Sequence, residues 1–417
     1  MGEKGLGAGD WGLGGANPSP QSPTPSLPLA GLTVVSIEQA VAAPLATRHL
    51  ADWGARVIKI ERPGAGDFAR AYDTKVKGLS SYFVWLNRSK QSLTLDLKRP
   101  EGAQVVARLL ASADVLMHNL APGAMKRLGL GTAALRAKHP RLIICEISGY
   151  GSSGPYRDRK AYDLLVQAEA GLLSITGTPE TPSKVGISVA DTAAGMYAYS
   201  AILMALVRRA ATGAGTAIEV SMLDALGEWM SHAVYTTTYG GAPLPRTGAH
   251  HASIAPYAPF AAGDGGTVYL GIQNEREWQR FCQDVLGTPG LADDSRFATN
   301  SARVEHRAAL EAAIGEVFGK LTVPEIVTRL DNADIAHARL NTVEEFAAHP
   351  QLAARGRWRE IDSSAGALRA LAPPVTMDTL EPAMGAVPGV GEHTDSILGE
   401  LGYDRTVIAG WRKDGVI

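Results

Sequence analysis

Cysteine is scarce in this sequence of 417 residues, and it has no excess of basic charge. The two cysteines, Cys145 and Cys282, stand in apolar surroundings without CxxC spacing, which predicts a reduced, cytoplasmic protein without disulfides or a zinc site. The 40 Lys and Arg are balanced by 42 Asp and Glu, so the formal net charge is −2. This balance argues against a dedicated nucleic-acid-binding protein.

Long apolar segments are also few. Residues 1–28 are rich in Gly, Pro and Ser without a continuous apolar run, which predicts a disordered extension rather than a signal peptide. The longest uncharged apolar run follows Asp191 and ends before Arg208. Because a bilayer span needs roughly 20 residues, we expect a buried helix there and no membrane partner.

What the sequence does contain is an alternation of short β-branched runs with helical stretches. The predicted strands are 32–37, 56–61, 92–97, 114–119 and 141–148, and the predicted helices between them include 44–53, 101–112 and 131–138. This order predicts an α/β fold, namely a doubly wound, Rossmann-like large domain with a mostly parallel sheet.

The sequence pattern changes near residue 246, which predicts that a smaller α+β domain interrupts the large one. Residues 29–224 would form the first part of the large domain, followed by a linker helix at 225–245. The small domain would cover 246–335, with a hairpin around Gly263–Gly266. Residues 336–417 would then return to the large domain.

Small, amide and cationic residues follow the first four predicted strands. Since the carboxyl ends of parallel strands meet at one edge of a sheet, this pattern predicts a polyanionic ligand there, with a phosphorylated cofactor as the leading candidate. The positions are 38–44, 62–67, 96–99, Asn119, Lys126 and Arg127.

Asp191 is the single carboxylate in the segment 185–207, VGISVADTAAGMYAYSAILMALV. A β-prone run (Val185, Ile187, Val189) precedes it and an apolar helix follows. From this segment alone, two interpretations stay open. Asp191 is either the N-cap of a core helix or a positioned, ionised nucleophile.

Two further motifs carry weaker signals. Gly149–Gly154 matches G-x-G-x-x-G, but Pro155 and a polar run follow it, which favours a glycine-rich active-site loop over a nicotinamide or flavin site. The adjacent His250 and His251 have no partner at metal-ligand spacing, so we expect no metal and instead a loop that lines a pocket.

The sequence resembles the class III CoA-transferase family, which includes formyl-CoA and carnitine CoA-transferases and the related α-methylacyl-CoA racemases. The resemblance is carried by GARVIKIERPGAGD, NRSKQSLTLDLKRPEG, ADVLMHNLAPGAMKRLG, ISGYGSSGPY, ISVADTAAGMYA and VPGVGEHTDSILGELGY. It implies an interlocked homodimer and acyl-CoA as substrate, with no permanently bound cofactor. The CoA-binding residues that it implies are Val41, Ala42, Arg62, Leu95, Asp96, Leu97, Lys98, Asn119, Leu120, Arg127, Tyr162 and Asp163.

The resemblance also makes Asp191 the nucleophile, which would form an aspartyl–acyl anhydride and then an aspartyl-CoA thioester. Where formyl-CoA transferase has a glycine tetrad, this chain has Gly248–His251, and imidazoles there suggest a dicarboxylic acid substrate. Two alternatives stay open. A racemase would carry His before Asp163, but this chain has Ala161-Tyr162-Asp163. A non-catalytic CoA-binding protein would leave Asp191 unexplained.

Overall fold

A six-stranded parallel sheet forms the centre of the computed structural model, which describes residues 26–417. The predicted extension 1–28 therefore lies almost entirely outside the described residues. The strand order is β3-β2-β1-β4-β5-β6, the doubly wound arrangement that the alternating pattern predicts. The strands are β1 Thr33–Ile37, β2 Arg56–Glu61, β3 Lys90–Thr94, β4 Val115–His118, β5 Ile143–Ser148 and β6 Ala217–Ser221.

Helices cover both faces of this sheet. Those in the first part of the chain are α1 Ala42–Asp52, α2 Ser81–Asn87, α3 Pro100–Ser112, α4 Ala124–Arg127, α5 Thr132–Lys138, α6 Asp163–Glu169, α7 Leu172–Ile175, α8 Val189–Thr212, α9 Met222–Trp229 and α10 Ser231–Tyr239, with a 3-10 turn at Phe68–Ala71. Apolar side chains of α1, α8 and α9 form one core with the sheet, and those of α3 and α5 belong to the core on the other face.

A separate antiparallel sheet belongs to the second half of the chain. It contains β7 Tyr257–Ala261, β8 Thr267–Gly271 and β9 His337–Arg339. The hairpin predicted around Gly263–Gly266 is thus present as β7 and β8. A core of residues 255–335 packs on this sheet with α11 Glu275–Arg280, α12 Asn300–Glu305, α13 Arg307–Phe318 and α14 Val323–Asn332, joined by a π turn at Phe281–Val285 and a 3-10 turn at Pro289–Leu291.

The C-terminal segment returns to the large sheet. Side chains of its last two helices join the core that α3 forms, and the Asp96 N–H donates to the Val416 carbonyl at 2.7 Å. The domain boundaries at 224, 245 and 335 stay a prediction. The remaining elements are α15 Val343–Ala347, α16 Pro350–Ala354, the hairpin β10 Trp358–Ile361 and β11 Leu368–Leu371, α17 Thr394–Glu400 and α18 Arg405–Lys413.

The segment before Asp191 differs from expectation. Val185 and Ile187 form no strand, and Val189 is already the first residue of α8. β-branched residues alternate there, but within residues 26–417 neither Val185 nor Ile187 pairs with a strand. By length and composition alone α8 is apolar enough to cross a membrane. In this fold it packs on α1, where a Cβ at Gly195 would lie 2.6 Å from the Ala42 carbonyl oxygen.

Candidate active site

Asp191 lies in the first turn of α8, but another residue caps this helix. Asp163 Oδ1 accepts hydrogen bonds from the backbone N–H groups of Ala190 at 2.8 Å and Asp191 at 3.2 Å. Ser188, at the N-cap position, makes no side-chain capping bond. The interpretation of Asp191 as the capping acid is therefore wrong. The capping carboxylate comes from α6, and the Asp191 side chain is not used for this purpose.

The Asp163 carboxylate is itself held in place by a buried amide. Gln167 is fully buried, and its Nε2 donates to Asp163 Oδ2 at 2.6 Å. The Oε1 atom of Gln167 accepts from the Val185 N–H at 3.0 Å. One turn of α6 thus fixes both the cap and the chain that enters α8.

The electrostatic environment of Asp191 favours its neutral form. Burial, and secondly the nearby Asp163 charge, raises the pKa of Asp191 to about 7. The N-terminal end of α8 acts in the opposite sense because its N–H groups attract an anion. Near neutral pH the site therefore holds both the carboxylate and the acid form of Asp191.

Asp191 opens into a cavity of about 700 Å³. Six of the residues predicted to bind CoA line the same cavity, namely Val41, Ala42, Asn119, Leu120, Tyr162 and Asp163. Ser148 and Gly149 line it as well, which agrees with a glycine-rich loop at the site. Arg159, Lys160 and Lys184 also line it, and sequence reasoning missed them as site residues. For Arg159 and Lys160 the available signal was the polar run after Pro155, whereas no pattern pointed to Lys184.

A second cavity of about 490 Å³ adjoins the first and shares Gln39 and Leu120 with it. The other predicted CoA-binding residues line this cavity, namely Arg62, Leu95, Asp96, Leu97 and Lys98. Arg127 lines neither cavity, and its guanidinium donates to the Pro122 carbonyl at 3.4 Å. The structure thus brings eleven of the twelve positions to two connected cavities at the carboxyl ends of the strands.

A fully buried charge network supports the floor of these cavities. Lys59 Nζ lies 2.8 Å from Asp67 Oδ2 and 3.5 Å from Glu38 Oε1, and Lys90 Nζ lies 2.7 Å from the same Glu38 oxygen. Burial opposes ionisation of Glu38, but Lys90 and Lys59 together hold the pKa of Glu38 below its ordinary value. The network joins β1, β2 and β3 just where the predicted ligand site begins.

The backbone that follows Glu38 is clamped from two sides. Asn119 Oδ1 accepts from the Gln39 N–H at 2.9 Å, and Asn119 Nδ2 donates to the Gln39 carbonyl at 2.8 Å. Ala40 has a φ of +62°, a left-handed conformation that is uncommon for a residue with a side chain, and its N–H donates to Asp67 Oδ1 at 3.2 Å. Asn119 therefore shapes the cavity wall as well as lining it.

Residues 246–253, which we call the histidine loop because they contain His250 and His251, line neither of these cavities. His250 Nε2 lies 3.3 Å from Glu311 Oε1, and the His251 ring stacks on Tyr257 with centroids 5.3 Å apart. Neither histidine lines a cavity that contains Asp191. The loop nevertheless docks on the segment that leads into α8, because Arg246 donates to the carbonyls of Thr178 and Pro179. Within residues 26–417, no group of three or more His, Cys, Asp or Glu side chains is arranged to hold a metal ion.

The model of CoA-transferase family III matches residues 29–394. This chain belongs to that family. The sequence is 35% identical to the succinate–glutarate CoA-transferase of Agrobacterium fabrum, over 90% of this chain and 96% of the relative. It is 33% identical to the human succinyl-CoA:glutarate CoA-transferase, over 94% and 90% of the two chains.

A solved structure supports the fold of this class III CoA-transferase. A CAIB/BAIF family protein from Brucella suis aligns with a TM-score of 0.79 and 34% identity, covering 90% of this chain and 100% of that one. The family match and the named relatives confirm the enzyme class predicted from the sequence, a class III CoA-transferase.

Proposed function

We propose that this CoA-transferase moves CoA from a dicarboxylic acyl-CoA, with succinyl-CoA as the first candidate, to a second dicarboxylic acid, with Asp191 as the nucleophile. One observation carries the assignment. Asp191 is a carboxylate at the N-terminal end of the long apolar helix α8, it is not used for capping, and it faces a cavity shared with the predicted CoA-binding residues.

In the proposed cycle, Asp191 attacks the thioester carbonyl, the C–S bond breaks, and an aspartyl–acyl anhydride forms while CoA leaves as its thiolate. The thiolate then attacks the aspartyl carbonyl, which releases the donor acid and leaves an aspartyl-CoA thioester. The acceptor carboxylate repeats the two steps in reverse. Covalent catalysis divides one difficult exchange into easier steps.

The choice of a dicarboxylate rests on charge and on relatives. Arg159, Lys160 and Lys184 supply three cations to the cavity that Asp191 faces. One carboxylate of a dicarboxylic acid must reach the reacting aspartyl group. The second carboxylate can then pair with one of these three cations. The named activities of the Agrobacterium and human relatives both involve dicarboxylic acids.

The decisive experiment combines a variant with a panel of acids. Purified enzyme is incubated with succinyl-CoA or acetyl-CoA and single acids, and CoA exchange is followed by chromatography. We expect glutarate or another dicarboxylate to be preferred over monocarboxylates. Asp191→Ala should abolish exchange while CoA still binds. An active Asp191→Ala enzyme would contradict the mechanism, and a preference for monocarboxylates would contradict only the substrate class.

We also propose that the protein forms an interlocked homodimer. We further propose that His250 and His251 take part in substrate recognition. Apolar side chains on α8 stay exposed in the single chain, among them Met204 at 66% and Val207 at 73%, which supports a partner subunit on this helix. Light scattering should give the mass of a dimer. If His250→Ala and His251→Ala leave the acceptor profile and kinetics unchanged, the histidines have no part in substrate recognition.

A further inference from the structure

Five arginines line another cavity, which does not include Asp191. It measures about 540 Å³ and lies between α1, α2 and the β10–β11 hairpin. None of the described residues that line it is acidic. We call it the arginine cavity, and the arginines that line it are Arg48, Arg88, Arg355, Arg357 and Arg369.

The charge of this cavity is only partly neutralised. Among the described residues, Asp52 is the one acid paired with any of these arginines, through Arg48 at 2.9 Å and Arg88 at 2.7 Å. Arg369 lies opposite Glu360 in the hairpin register, but its guanidinium sits over the Trp358 ring, 4.9 Å from the centroid. One carboxylate therefore faces a set of five cations.

Two buried donors at the cavity have no acceptor. Arg48 is only 6% exposed, and its Nε makes no hydrogen bond. The indole N–H of Trp358 is likewise buried and unpartnered. Burial lowers the pKa of Arg48 to about 10. The neighbouring Arg88 charge acts in the same direction, and the Asp52 charge opposes both effects. Buried donors are rarely left without an acceptor, so an oxygen-rich anion would satisfy groups that the chain itself does not.

We propose that the arginine cavity binds the phosphate group of a small organic phosphate, at a site separate from the cavities assigned to CoA. A phosphate offers three terminal oxygens to donors that converge from several directions, whereas a carboxylate offers two. The cavity also has apolar walls from Trp85, Leu371 and Pro374, which suit the organic part of such a ligand. None of these residues lines the cavities around Asp191.

The test is a titration of the full-length enzyme in its native oligomeric state with adenosine monophosphate, inorganic phosphate and succinate. The informative variant is R355Q/R369Q, because both side chains are exposed and neither forms an ion pair with a described residue. The matched control is R359Q, on the same strand as Trp358 but bonded to Glu381 and outside the cavity. R62Q serves as the control for the CoA site.

We expect the phosphate-bearing probes to bind the wild type and the dissociation constant to rise roughly tenfold or more in R355Q/R369Q. R359Q and R62Q should leave this binding unchanged, and succinate should bind more weakly. Binding lost only in R62Q would place the phosphate at the CoA site and overturn the proposal. No phosphate binding by the wild type would overturn it too, for instance because a second subunit fills the cavity.

Discussion

Replacing Asp191 by Asn should make the protein more stable at alkaline pH while it destroys activity. The pKa of Asp191 rises from its ordinary value of 3.8 to about 7 in the folded chain, chiefly through burial. Between these two values the folded chain keeps a proton that the unfolded chain releases, so the free energy of unfolding falls as pH rises. At 1.36 kcal/mol per pKa unit, the full cost above pH 7 is about 4 kcal/mol.

Asn is neutral and similar in shape, so Asp191→Asn removes this cost. With an unfolding entropy of roughly 2.1 cal/mol/K per residue, 4 kcal/mol corresponds to a rise in Tm of about 5 °C at pH 8. The gain should shrink as pH falls to 5, where Asp191 is already protonated in the folded chain. Thermal unfolding at both pH values measures it, with Asp158→Asn, whose side chain is 78% exposed, as the control.

A variant with the same Tm advantage at pH 5 and pH 8 would refute the electrostatic argument, because a change of packing alone does not depend on pH. A variant less stable than the wild type at pH 8 would refute it more strongly, since the ionised carboxylate would then be stabilising the fold. Enzyme activity does not test this electrostatic argument, because Asn cannot act as the nucleophile at pH 5 or at pH 8.

Three further changes test the surroundings of the site. Asp163→Asn keeps an oxygen for the cap but removes a negative charge, so the pKa of Asp191 should fall. The acidic limb of the pH profile of kcat/KM, which reports the ionisation of Asp191, should therefore move to lower pH than in the wild type. Lys59→Met leaves Asp67 without its partner, and urea unfolding should show a loss of about 3–5 kcal/mol. Asn119→Ala removes both bonds to the Gln39 backbone, and calorimetry should show weaker CoA binding than in the wild type.

The sheet could be predicted closely because its signals are local. β-branched runs bounded by turn residues located β2 without error and β1, β3, β4 and β5 to within three residues. β3 begins two residues and ends three residues before the predicted strand, since the polar Lys90 and Gln91 pair with β2 although they lack strand character. Backbone pairing with an existing neighbour outweighed propensity there.

The cap of α8 could not be predicted because it joins residues that are distant in the sequence. Asp163 precedes Ala190 by 27 positions, and only the packing of α6 on α8 brings them together. The arginine cavity has the same origin, since Arg48 and Arg369 belong to opposite ends of the chain. Sequence patterns identify residue types, whereas the pairing of distant side chains follows from tertiary structure.

The raised pKa of Asp191 is consistent with the proposed covalent cycle. An environment that disfavours the carboxylate also favours each neutral form of the same side chain, and both the anhydride and the thioester at Asp191 are neutral there. Burial and Asp163 therefore destabilise the free nucleophile relative to its acylated states. The positive end of the α8 dipole still attracts the carboxylate of Asp191, although Asp163 accepts hydrogen bonds from the N–H groups of Ala190 and Asp191. The two opposing influences would keep the free and acylated enzymes closer in free energy, which suits a reversible exchange of thioesters.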